Sequence, residues 1–321
     1  MSKKSTNKIT IGNTNVQVTK VGLGGGKLSS YDPSPNFTEN TIRTAFSLGV
    51  RYFDTAPLYV NTQSERNLGR VLPELKRDEF VLSSKAGRIY SEGPLEEIHL
   101  SYDAIFKSFE SSLKRLGLDR IDILFIHDPN FHRDGREAGF KQVVNETFAA
   151  VKELKDSGLV GAIGVGMNEW EMPLRFIQEL DLDCVLLAGR YTLMNQIGLK
   201  LFLPECEKRN VSVIIGGPFN GGFTSSDIKE DSLYDYKPAS SEIIDRARKI
   251  KIVCERFNIS IKAAALQFPF NHPSVASTIP GARTAEEMLE NIELFNTSIP
   301  KTFWEELKTE GLIDENTPID N

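Results

Sequence analysis

The sequence predicts a (β/α)8 barrel. Short apolar runs alternate with longer amphipathic stretches along the 321 residues. The alternation keeps a pace of roughly one strand per 40 residues, and no glycine- or proline-rich linker interrupts it. A single barrel domain over 1–321, opened by an N-terminal β-hairpin, follows.

The elements are legible in order. Lys8–Lys20 alternates apolar and polar residues around Gly12-Asn13, the pattern of a hairpin. Val21–Gly24 begins the barrel strands, followed by Tyr52–Thr55, Phe80–Lys85, Ile121–His127, Val160–Val165, Cys184–Ala188, Val211–Ile215 and Val275–Ile279. Helical stretches lie between and after them, at Thr38–Leu48, Ser64–Leu72, Ser101–Leu116, Lys141–Ser157, Met172–Leu180, Leu199–Arg209, Ser241–Phe257 and Ala285–Asn291. Ile105, Phe109, Leu113 and Leu116 fall on one helical face, and Gly117 and Gly158 mark helix ends. The polar, irregular segment Phe223–Ala239 predicts a long loop over one barrel mouth.

Composition excludes other classes. At 40% hydrophobic and 26% charged, the chain is neither disordered nor fibrous. A net charge of −6 supplies no basic field for nucleic acid or an anionic membrane. Cys184, Cys206 and Cys254 are too widely spaced for a disulfide framework or a Cys-x-x-Cys metal site, and no other grouping has metal-ligand spacing. No apolar run approaches the roughly 18 residues of a membrane span, and no apolar core follows the basic first residues as in a secretory signal. A cytoplasmic protein is expected.

Barrel active sites assemble at the C-terminal ends of strands. Those ends carry Asp54 with Tyr59 after the second strand, Lys85 after the third and His127 after the fourth. A tyrosine is a poor acid or base near neutral pH, but a neighbouring ammonium favours its phenolate. Lys85 can be that ammonium, Asp54 can hold it charged, and His127 can donate to a substrate oxygen: a proton-transfer site for a carbonyl or alcohol. The cluster Gly22-Leu-Gly24-Gly25-Gly26-Lys27 fails both the GxGxxG pattern and the phosphate-loop pattern, so a tight turn and a cofactor contact at Gly24 both stay open.

Phe53-Asp-Thr-Ala-Pro-Leu-Tyr59, Ser84-Lys85 and Ile126-His127 resemble the tetrad signature of the aldo-keto reductases, and the resemblance runs from the hairpin to Leu312. Further strings resemble the branch of bacterial aldose 1-dehydrogenases, L-fucose dehydrogenases and pyridoxal 4-dehydrogenases. They are His127-Asp-Pro, Asp183–Leu193, Ile215–Gly221, Ala264–Phe268 and Pro273–Arg283. The resemblance implies NAD or NADP bound across the barrel mouth without a Rossmann domain. It makes Tyr59 the general acid/base, Lys85 the group that tunes it, Asp54 the partner of Lys85, and His127 the orienter of the reacting oxygen.

It also implies a nucleotide site. Ile279-Pro-Gly281-Ala-Arg283, with Asn291 further on, resembles the segment that meets the adenosine phosphate. Arg283 suits a 2′-phosphate, whereas Glu287 suits a free 2′-hydroxyl, which tilts the expectation slightly to NAD. The usual Ser-Asn that holds the carboxamide is replaced by Met167-Asn168, leaving Asn168 for that work. Gly216-Gly217 stands where an aromatic stacks on the nicotinamide, and Phe219, Asn220 and Gly221 offer backbone N–H groups to the diphosphate. Asn130, His132, Trp170, Arg190 and Tyr191 are candidates for substrate; Arg190 either meets sugar hydroxyls or pairs with a structural carboxylate. The expected activity is oxidation at C1 of an aldose such as L-fucose, D-arabinose or L-galactose to a lactone, by a monomer or homodimer. A pyridoxal 4-dehydrogenase or a general aldehyde reductase is the alternative, and a non-catalytic nucleotide-binding regulatory barrel is the rival of another class.

Overall fold

The computed structural model describes residues 4–28, 35–90, 96–235 and 237–319. Eight parallel strands form one sheet: β1 (Leu23–Gly24), β2 (Tyr52–Asp54), β3 (Val81–Ala86), β4 (Ile121–His127), β5 (Val160–Met167), β6 (Cys184–Ala188), β7 (Ser212–Gly216) and β8 (Val275–Ile279). Each pairs with its chain neighbours, and parallel bridges Val21 to Thr278 and Gly24 to Gly281 join the two edges. The antiparallel hairpin Lys8–Thr10/Gln17–Thr19 precedes the barrel. Three of the expected strands, Ile121–His127, Cys184–Ala188 and Val275–Ile279, coincide with the observed limits.

Period-two alternation sorts the side chains into two cores. In β4, Leu124 and Ile126 pack outward under the helices, while Ile123 and Phe125 face the barrel interior. Tyr52, Cys184, Leu186, Ile214 and Ala276 share that interior, and Ile11 and Val18 of the hairpin join it. The same parity carries upward: Asp54 follows Tyr52 by two, Lys85 follows Ser83 by two, and His127 follows Phe125 by two. The pleat therefore delivers all three groups to the inward face at the C-terminal rim.

Helices α1 (Pro35–Ser47), α2 (Gln63–Val71), α3 (Tyr102–Leu116), α4 (Arg136–Gln142), α5 (Phe148–Asp156), α6 (Glu171–Glu179), α7 (Phe202–Lys208), α8 (Ser241–Arg256), α9 (Ile261–Gln267), α10 (Ala285–Asn296) and α11 (Lys301–Thr309) complete the fold. In α3 the Ser101 hydroxyl accepts from Ala104 N–H at 3.3 Å, and Gly117 ends the helix at φ +64°. The single helix expected over 141–157 is present as one helical run, α4 and α5 continuous through a π-turn at Val143–Thr147, and it starts earlier, at Arg136. Helix α9 escaped the periodicity reading because Ala263–Gln267 are all buried, so it presents no polar face.

Candidate active site

Lys85 is the most tightly held group at the rim. Its ammonium lies 2.8 Å from each carboxylate oxygen of Asp54 and 2.8 Å from the Thr55 carbonyl, and the side chain is 1% exposed. Burial pulls its pKa below the usual lysine range, and the Asp54 charge opposes that pull. Asp54 also accepts from the Ser83 hydroxyl at 2.6 Å.

Tyr59 comes from the loop after β2. Three successive left-handed residues follow it: Val60 (φ +49°), Asn61 (φ +47°) and Thr62 (φ +67°). Such a run of L-residues costs about 1–2 kcal/mol per residue, strain that surrounding contacts must offset. The turn returns the chain to α2 and leaves the Tyr59 ring with its centroid 4.6 Å from Lys85 Nζ.

The His127 ring stands edge-on to Tyr59, with centroids 5.9 Å apart. Burial, then the charges of Lys85 and Arg88, hold its pKa well below the ordinary histidine value. The imidazole is therefore neutral near pH 7, and one ring nitrogen can donate while the other accepts. Nδ1 is buried with no hydrogen-bond partner among the described residues. Nε2 is 3.6 Å from Asp128 Oδ2, and Asp128 is in turn held by Arg88 at 2.6 Å. The structure thus gathers Asp54, Tyr59, Lys85 and His127 around one point of the mouth.

Among the nucleotide candidates, Gly217 (φ +58°) and Gly221 (φ +76°) shape the turn after β7. Gly217 is exposed with no close obstruction in its Cβ direction, whereas Phe219 and Asn220 are buried. Asn168 is exposed directly after β5. Thr284 caps α10, its hydroxyl accepting from Glu287 N–H at 3.1 Å. Glu287 also takes Arg283 Nε at 3.0 Å, Nη2 at 2.6 Å and the Arg283 backbone N–H at 2.8 Å. The side-chain amide oxygen of Asn291, Oδ1, is buried with no hydrogen-bond partner among the described residues. An open glycine turn, a capped helix start and an unmet buried acceptor fit a nucleotide that brings a diphosphate and an amine-bearing base. Gly24 has a barrel-closing role: its N–H donates to Pro280 O at 3.0 Å, and a Cβ there would lie 2.7 Å from Ile279 O.

The substrate candidates divide. Arg190 pairs with Asp235 at 2.7 Å, the carboxylate alternative of its two expected roles. Tyr191 lies in the core rather than on the mouth, fully buried with its ring against Phe268 and His272. It stands three residues past a strand end, but its side chain packs in the outer core under the helices. Asn130 and Trp170 remain half-buried on the loops after β4 and β5, each with a buried polar atom, Oδ1 and Nε1, lacking a partner among the described residues. His132 accepts from Asp134 N–H at 3.1 Å through Nδ1.

Sequence reading missed the groups behind the tetrad: Tyr52 and Ser83 below Asp54, and Arg88 and Asp128 beside His127. Tyr52 and Ser83 each sit two residues before a tetrad member on the same strand, so period-two alternation was the available signal. Arg88 had none, because its partner is 40 residues away. Among the described residues no helix is long and apolar enough to cross a membrane, and no cluster of His, Cys, Asp or Glu could hold a metal ion.

Comparison with known proteins identifies the family. Residues 20–309 match the aldo/keto reductase family. The chain is 35% identical to pyridoxal 4-dehydrogenase of Microbacterium luteolum, over 98% of this chain and 100% of that protein. It is 33% identical to D-threo-aldose 1-dehydrogenase of a Pseudomonas species, over 85% of this chain and 87% of that one. Glycerol dehydrogenase from Gluconobacter oxydans superposes with a TM-score of 0.79 at 22% identity, covering 99% of this chain and 97% of the other. A parallel eight-stranded barrel with this tetrad at its C-terminal rim, matched from residue 20 to residue 309, belongs to the aldo/keto reductase family.

Proposed function

We propose that the chain is an NAD(P)-dependent aldose 1-dehydrogenase, one barrel domain throughout, that oxidises the C1 hydroxyl of a sugar of the L-fucose, D-arabinose or L-galactose type to a lactone. The observation that carries the oxidoreductase reading is the buried Asp54–Lys85 pair set against the ring of Tyr59, with a neutral His127 alongside. A bound nicotinamide nucleotide supplies the two-electron acceptor; the barrel supplies geometry and proton chemistry. Tyr59 takes the hydroxyl proton during oxidation and returns it during reduction. Lys85 stabilises the phenolate by its charge, and Asp54 keeps that charge in place. The neutral imidazole of His127 donates an N–H to the reacting oxygen and fixes its approach.

For the nucleotide, residues 217–221 would hold the diphosphate, Asn168 the carboxamide, and the start of α10 with Asn291 the adenosine end. Glu287 already engages Arg283 through both carboxylate oxygens, which lowers the positive charge offered to a 2′-phosphate and supports NAD. Asn130 and Trp170 remain as hydroxyl-binding candidates.

A second reading, oxidation at the 4-position carbon of pyridoxal, has its own support. The pyridoxal dehydrogenase relative matches almost the whole chain, Arg190 pairs with Asp235 rather than standing free for sugar hydroxyls, and Tyr191 is fully buried. A panel of aldoses, pyridoxal and simple aldehydes, followed at the nicotinamide absorbance band with each cofactor, decides between them. Turnover of aldoses alone supports the first reading and turnover of pyridoxal alone the second. Tight nucleotide binding without turnover of any would favour a regulatory barrel.

A further inference from the structure

Beneath the tetrad runs a buried line of hydroxyl groups that the mechanism above does not use. Tyr52 and Ser83 point into the barrel from β2 and β3, one pleat below Asp54 and Lys85, and both are fully buried. Their oxygens are 3.0 Å apart, and the Ser83 hydroxyl lies 2.6 Å from Asp54 Oδ1. The direction of these bonds is fixed by chemistry. An ionised carboxylate only accepts, so Ser83 spends its proton on Asp54. Ser83 Oγ is then left as acceptor, and Tyr52 donates to it. Burial and the Asp54 charge push the Tyr52 phenol well above its ordinary range, so it stays a donor. The line therefore runs one way, from Tyr52 through Ser83 into Asp54.

We propose that Ser83, backed by Tyr52, is a positioning residue for the reaction: by occupying one lobe of Asp54, it sets how much of the Lys85 charge reaches Tyr59. The inference rests on the reading of Tyr59 as the proton-transfer group. Asp54 Oδ1 receives two donors, Ser83 at 2.6 Å and Lys85 at 2.8 Å, while Oδ2 receives Lys85 at 2.8 Å. A short hydroxyl-to-carboxylate bond disperses negative charge that would otherwise neutralise the ammonium more completely. The other acidic groups facing the site have arginine partners: Asp128 pairs with Arg88, and Glu65 on α2 pairs with Arg115 at 2.6 Å. His127 is neutral. Asp54 differs in that its cationic partner is the lysine beside Tyr59, so a change at its Oδ1 is felt at the phenol.

The test is a phenolate absorbance titration of wild type, Ser83→Ala, Ser83→Cys and Tyr52→Phe, each read against the same protein carrying Tyr59→Phe, together with pH profiles of kcat and KM. In Ser83→Ala the Tyr59 ionisation should move up by about 0.5–1 pH unit, as expected for losing one bond to a charged group and passing part of that loss on. Oxidative kcat at neutral pH should fall roughly 3–10-fold with KM nearly unchanged. Ser83→Cys, of similar volume but with a weaker donor, should lie between, and Tyr52→Phe should shift the ionisation less in the same direction. If Ser83→Ala fails to fold, the cysteine and Tyr52→Phe proteins carry the comparison. An unmoved Tyr59 ionisation, even with lowered kcat, overturns the proposal and leaves Ser83 a packing residue. Full turnover by Tyr59→Phe would instead overturn the reading of Tyr59 itself, and the two failures are distinct.

Discussion

Arg283 and Glu287 close on each other: the carboxylate takes the guanidinium at 2.6 and 3.0 Å and the Arg283 backbone N–H at 2.8 Å. Thr284 between them caps α10, so a Thr-x-x-Glu arrangement at the helix start also holds Arg283, the arginine proposed above for the 2′-end of the nucleotide. Removing the carboxylate frees that arginine. Glu287→Ala should raise the NADP-to-NAD ratio of kcat/KM about tenfold or more, since a charged hydrogen bond supplies ~1.5–3 kcal/mol and ~1.4 kcal/mol is a factor of ten. A flat ratio removes Arg283 from the 2′-end.

Tyr59→Phe keeps the ring that packs beside Lys85 and His127 and removes only the proton-bearing oxygen. It should lower kcat by at least ~100-fold, the lower range for lost general acid/base catalysis, while nucleotide affinity stays near wild type. Steady-state turnover and a nucleotide-binding titration separate the two quantities. Unchanged turnover takes Tyr59 out of the mechanism.

The tetrad was legible because it depends on strand ends and a strand-helix count, both written in the chain. Asp54 and His127 close their strands and Lys85 stands one residue before the end of its own, all three on the inward parity, and the barrel brings strand ends together without further instruction. The hydrogen-bonded surroundings were harder to see. Arg190 reaches Asp235 across 45 residues, and only the folded loop shows which of its two expected roles it takes. Tyr191 misled because residues beyond a strand end obey no parity. At Gly24 close backbone packing and phosphate binding both demand glycine; the structure shows the packing against Ile279 and Pro280, which the sequence alone does not display.

His127 links the site to acid stability. Its native pKa is depressed, so the folded protein refuses a proton that the unfolded chain accepts near pH 6.5. Proton uptake by the unfolded state alone means that stability present above about pH 6.5 is lost as the pH falls, at up to ~1.4 kcal/mol per pH unit. His127→Gln should therefore lose less stability than wild type between pH 7 and pH 5, measured by urea midpoints. His272, also depressed by burial, is present in both proteins and cancels. Equal losses would show that His127 titrates normally.

The segment 223–239, expected as one irregular loop, carries the end of a 3-10 turn and a short antiparallel pair, Leu233–Tyr234 with Lys237–Pro238, and Asp235 fastens it by taking Arg190 at 2.7 Å and Asn220 Nδ2 at 3.2 Å. The ion pair is about a quarter exposed on each side, so its contribution to global stability is at most about 1 kcal/mol. Its effect should be local. Asp235→Ala should leave the melting temperature within a few degrees of wild type and speed protease cleavage inside 223–239 several-fold, with nucleotide slowing it again. Cleavage at the wild-type rate would mean that the Phe223–Tyr234 ring contact, not the ion pair, holds the loop.

Gly25 and Gly26 are adjacent, yet their surroundings predict opposite responses to one methyl group. A Cβ on Gly25 would run into the Asp54 carbonyl oxygen and lie 2.6 Å from Ser64 Oγ, so β1 and β2 would have to separate just where the carboxylate of Asp54 is aimed. A Cβ on Gly26 would meet only the Tyr59 ring, at 3.9 Å, an ordinary contact. Gly25→Ala should cost about 1–3 kcal/mol, the usual range for overpacking, and should lower kcat by displacing the Asp54–Lys85 pair. Gly26→Ala should stay within about 0.5 kcal/mol of wild type. Denaturant midpoints and kcat for both proteins check this. If Gly25→Ala is as stable as Gly26→Ala, the barrel seam between β1 and β2 yields freely, and the glycine cluster needs another explanation.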